Sequence, residues 1–134
     1  MAEDGLTMDR AKSLQRIAKV QAEMVKLSEW RVAAADRQIA DLAADRARLA
    51  DYAASEGSLG EALAKMALRS ITTIDRRDSE VRRGREIEKA RLDMLRRRDH
   101  AVAAMADAAV KAARRADEAA ELVLTMEAWL ARKE

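Results

Sequence analysis

The chain has no cysteine, no proline and no phenylalanine, and only four glycines in 134 residues. Without cysteine there can be no disulfide and no thiolate metal site. Without proline, nothing forces a helix to stop. Trp30, Trp129 and Tyr52 are the only aromatic residues, too few bulky side chains for a thick globular interior. No window approaches the 18 or so apolar residues of a membrane span. The opening "MAEDGLTMDR" is acidic and has no apolar core of the kind a signal peptide carries, so a cytosolic protein is the expectation. Neither charge sign dominates: 26 Lys and Arg face 24 Asp and Glu. A sequence pI near 9.1 therefore rests on two excess charges. That balance gives no general attraction to nucleic acid.

Alanine and charge fill the space. Of the 134 residues, 31 are alanine and 37% are charged. Such a composition with helical periodicity belongs to coiled coils and long helices. Strand-like alternation fits nowhere for more than a few residues. The expected fold is all-α: an antiparallel two-helix coiled-coil hairpin with unequal arms, forming a single elongated domain over residues 1–134.

The first helix is expected over 8–55. Residues 1–6 read as a frayed start and Thr7 as the N-cap, with Asp9 in the first turn where it suits the helix dipole. Apolar residues recur at Leu14, Ile17, Val20, Met24 and Leu27, and then at Val32, Ala35, Ile39, Leu42, Leu49 and Ala53. The two series differ in phase by one residue. The seam is expected to slip between Leu27 and Val32, at Trp30.

The second helix is expected over 59–132. It holds one seven-residue register from Ala64 and Ala67, through Leu92 and Leu95, to Val123 and Leu130. Charged members such as Asp78, Arg85 and Glu88 make the middle of that seam thin and wet.

Between them lies "SEGSLGE", with the turn at 56–58. Gly57 suits a left-handed helix end. Ser58 and Glu61 match a capping box that starts the next helix. A connection this short joins antiparallel neighbours. Centred on Gly57, the turn sets residue i opposite about 114 − i. Met8 then faces Ala106, and Trp30 faces Gly84, whose missing side chain would leave room for the indole. The arms would be roughly 72 Å and 111 Å long at 1.5 Å per residue. The second would overhang after about Ala106.

That overhang carries Val110, Leu122, Val123, Met126, Trp129 and Leu130, an apolar stripe of the kind that docks a partner or a second copy. The competing reading is that the first helix shifts to cover more of it. The segment Arg76 to Arg98 holds ten Lys and Arg against five Asp and Glu, a candidate for an acidic partner surface. No aromatics interleave, so stacking on single strands is not expected. His100 stands without an acidic neighbour on its own face. No phosphate-binding loop or metal-ligand spacing occurs. The chain is expected to have no catalytic, cofactor-binding or metal-binding residue, to need no cofactor, and not to be an enzyme.

"LQRIAKVQAEMVKLSEWRVAAADRQIADLAADRARL", Leu14 to Leu49, resembles the N-terminal helix of the FliJ-type flagellar export proteins, whose injectisome counterpart is YscO. The resemblance lies in the entry Leu14-x-Arg16-Ile17-x-Lys19-Val20-Gln21, in Glu29, and in Arg37-Gln38 followed by Leu42. It implies a cytoplasmic coiled coil of the type III export apparatus, at most peripheral to the inner membrane. It also implies protein partners: the hexameric export ATPase ring, the export gate, and export chaperones or substrates. The family's likeness to a rotary-ATPase stalk would place the helix termini in the ring. The alanine-rich tail departs from the more Glu- and Arg-rich ends of that family. The alternatives are a structural coiled coil that self-associates as a homodimer and, third, a nucleic-acid-binding rod.

Overall fold

A computed structural model describes residues 2–54 and 60–133, with side chains from Leu6 onward. Two helices make up all of it: α1, Ala2–Ala54, and α2, Gly60–Lys133. They pack against each other in opposite directions, so the all-α hairpin is as expected. The expected turn at 56–58, with Gly57 and Ser58, lies outside the described residues. Two compact units divide the chain: Met1–Val25 with Met94–Glu134, and Lys26–Asp93.

The seam of α2 follows the sequence reading closely. Every position of its register from Ala64 to Ala120 is buried or half-buried. Ala67, Leu92, Leu95, Ala106 and Ala113 are the most enclosed.

The seam of α1 corrects the sequence reading. It runs through Ala11, Leu14, Ala18, Gln21, Val25, Ser28, Val32 and Ala35 without a change of phase. Ile17, Val20, Met24 and Leu27 are 43 to 58% exposed. The larger side chains misled the reading. A partner helix with an unbroken repeat holds α1 to the same repeat, and small seam residues let two backbones approach closely. Thr7 is half-buried within the helix and is no N-cap. Packing along the seam outweighs the local preference for a cap there.

In the unit Lys26–Asp93, polar pairs fix the register. Ser28, 2% exposed, donates from Oγ to Glu88 Oε1 at 2.9 Å. Arg31 and Arg91 also reach the Glu88 carboxylate, at 3.8 and 3.4 Å. Arg85 donates to Asp36, and Arg46 to Asp75 at 2.8 Å. Each of those aspartates raises its arginine's pKa, first through the hydrogen bond and then through its charge. Arg85 and Glu88 of the seam are thus satisfied across the helices, and Asp78 within α2 by Arg82.

These partners' residue numbers total 116 to 121, not 114. The expected pairing of Trp30 with Gly84 does not form. Trp30 is 62% exposed, and a Cβ added at Gly84 would meet nothing within 4 Å. The physical cause is again the α1 seam, which turns Trp30 to the outside.

α2 begins at Gly60, whose φ is +76°. The expected capping residue Ser58 lies outside the described residues. Gly60 itself serves as the entry residue, where only glycine adopts this angle without strain. Glu61 lies in the first turn of α2, with its carboxylate 3.9 Å from the Lys65 ammonium.

Candidate protein-interaction site

The site lies in the unit formed by Met1–Val25 and Met94–Glu134. Here Leu14 shares a groove with Met105, and Lys12 shares one with Asp107. Residue i of α1 therefore faces about 119 − i of α2 in this unit, with the usual knobs-into-holes alternation. That register carries α1 over more of α2 than expected. Val110 is half-buried, so it belongs to the covered part and not to an overhang. The uncovered segment is 121–133, in which every residue is exposed.

On this tail, Leu122, Val123, Met126, Trp129 and Leu130 are 54 to 62% exposed. Val123 and Leu130 continue the α2 seam. Leu122, Met126 and Trp129 stand to one side of it at helical spacing. Their spacing of four and three residues makes a stripe of its own. Lys133 Nζ lies 4.3 Å from the centre of the Trp129 ring, a cation–π contact at the stripe's end.

A second feature was not visible in the sequence. An apolar groove of about 420 Å³ lies between α1 and α2, lined by Leu6, Arg10 and Leu14 on one side and Met105, Ala108 and Ala112 on the other. The stripe of the tail lies on the same side of α2 as this groove, since Met105, Ala112 and Met126 fall at sevenfold intervals. The α1 register had to be known before these residues could be placed together, and Leu6 fell in the segment read as frayed. A second groove holds Lys12, Arg16 and Lys19 with Asp107, together with Ala18, Ala103 and Ala106.

The basic segment Arg76–Arg98 is partly neutralised. Arg82 pairs with Asp78 at 2.8 Å, Arg85 with Asp36, and Arg91 with Glu88. His100 is exposed. Among the described residues, no group of three His, Cys, Asp or Glu is placed to hold a metal ion. No helix among them is long and apolar enough to cross a membrane.

No protein-family model, no curated protein and no solved structure matches the chain. The fold and the exposed tail define an all-α helical hairpin with a candidate interaction surface.

Proposed function

We propose that the chain is a non-enzymatic stalk or adaptor of a type III protein export apparatus, in the manner of the FliJ-type proteins. The observation that carries this reading is the tail 121–133, an apolar helix end left open by α1. An exposed apolar stripe on a helix suits a groove on a protein partner. The sequence pattern of Leu14 to Leu49 supplies the identity of that partner: the hexameric export ATPase ring, with the export gate and chaperones beside it. Val123 and Leu130, on the seam side of the tail, would seat it in that partner. The role requires no chemistry of the chain itself, only a helix end presented to the ring.

Binding tests this reading. The chain should co-sediment with the cognate export ATPase, and Leu130→Asp should weaken that binding at least tenfold. Equal binding by the variant, or no binding by either, would remove the proposal.

A further inference from the structure

Two surfaces of the same unit complement each other but cannot meet within one molecule. The groove between α1 and α2 is lined on the α2 side by small residues, Ala108 and Ala112. The tail offers large ones, Leu122, Met126 and Trp129, on the same side of the same helix. A straight helix cannot fold its tail back onto its own groove.

We propose that the groove takes the tail of a second copy, and that the exchange is reciprocal. The two α2 helices run antiparallel, with residue i of one level with about 234 − i of the other. Leu122 then lies over Ala112, Met126 over Ala108, and Trp129 beside Met105. Large side chains meet small ones at the Ala112 and Ala108 levels, the interdigitation that a packed seam needs.

Charge fits the same register. Lys111, Arg114 and Arg115 form a basic block with no acidic residue among them. Asp117, Glu118, Glu121 and Glu127 form an acidic block with no basic residue between them. At this register the basic block of each copy lies level with 119–123 of the other, beside Glu118 and Glu121, while Asp117 lies level with its own counterpart. Arg10, on the lip of the apolar groove, comes level with the Glu127 region of the incoming tail. The opposite groove carries Lys12, Arg16 and Lys19 among its lining and is the more charged of the two.

The contact is isologous: the same patch serves on both copies, so assembly closes at two. It goes beyond the stalk reading and does not depend on it. Val123 and Leu130, on the seam side of the tail, stay open in the pair.

The absence of native cysteine allows a direct test. The double variant Ala112→Cys, Leu122→Cys should form a reducible covalent dimer on mild oxidation. Its yield should exceed that of Lys12→Cys, Leu122→Cys at least tenfold. All of these positions except Lys12 lie on exposed parts of the proposed contact, and circular dichroism checks that each variant stays helical. The unmodified chain should sediment as a dimer. Ala108→Arg, which fills the groove with charge, should sediment as a monomer of unchanged helicity. A monomeric unmodified chain overturns the proposal. So does efficient cross-linking of the single variant Met126→Cys, which would place tail against tail.

Discussion

At the scale of single residues, two glycines carry opposite consequences. Gly84 sits inside α2 with open space around it. Gly84→Ala should raise stability by about 1 kcal/mol, since a helix-interior glycine is disfavoured by that much. Gly60 has φ +76°, and Gly60→Ala should cost about 1–2 kcal/mol. Urea unfolding of both variants separates the cases. Had Gly84 received the Trp30 ring, both substitutions would destabilise. Polar seam residues behave differently from each other as well. Ser28 is enclosed and bonded to Glu88, so Ser28→Ala should cost about 1 kcal/mol. The Gln21 Oε1 atom is buried with no hydrogen-bond partner. Gln21→Leu should therefore stabilise, by about 1 kcal/mol, because an unmet buried acceptor is replaced by an apolar group. The arginines of the cross-helix pairs respond to pH at the alkaline end. Arg85 and Arg46 have raised pKa values, so their contribution is present below the ordinary arginine value and is lost as pH rises past the folded one.

At the scale of elements, the two helices differed in how well their sequences could be read. The α2 seam was legible because Leu92, Leu95, Ile71, Ile74 and Val81 repeat with the alanines in one phase, so no competing stripe arose. In α1 a competing stripe did arise. Ile17, Val20, Met24 and Leu27 have the right spacing and the larger side chains, yet Ala11, Ala18, Val25 and Ser28 face the partner. Size favoured the wrong stripe, and only the partner helix could reveal the right one. Two substitutions test the corrected register by thermal or chemical unfolding. Val25→Ala should cost about 1–2 kcal/mol, the loss of two buried carbons. Met24→Gln, next to it in sequence, should change stability by less than about 0.5 kcal/mol, as exposed positions do. The reverse order would restore the slipped seam. Thr7 shows the same limit at a helix end: it has the chemistry of a cap, but cap chemistry is local and α1 runs through it.

For the whole molecule, the hairpin and an apolar tail were readable from composition, the glycine pair and the long repeats. The extent of the tail was not, because it depends on a cross-helix register shifted about five residues from a turn centred on Gly57. That shift covers Val110 and leaves 121–133 open. It also brings Leu6 and Arg10 beside Ala108 and Ala112, which no sequence pattern placed together. We propose that the chain works through this open helix end. It is tested most directly by the ATP hydrolysis rate of the hexameric export ATPase, measured alone, with the chain, and with Val123→Glu, Leu130→Glu. The chain should raise the rate, and the variant, still helical, should not. No rise with the chain, or the same rise with the variant, would contradict the proposal.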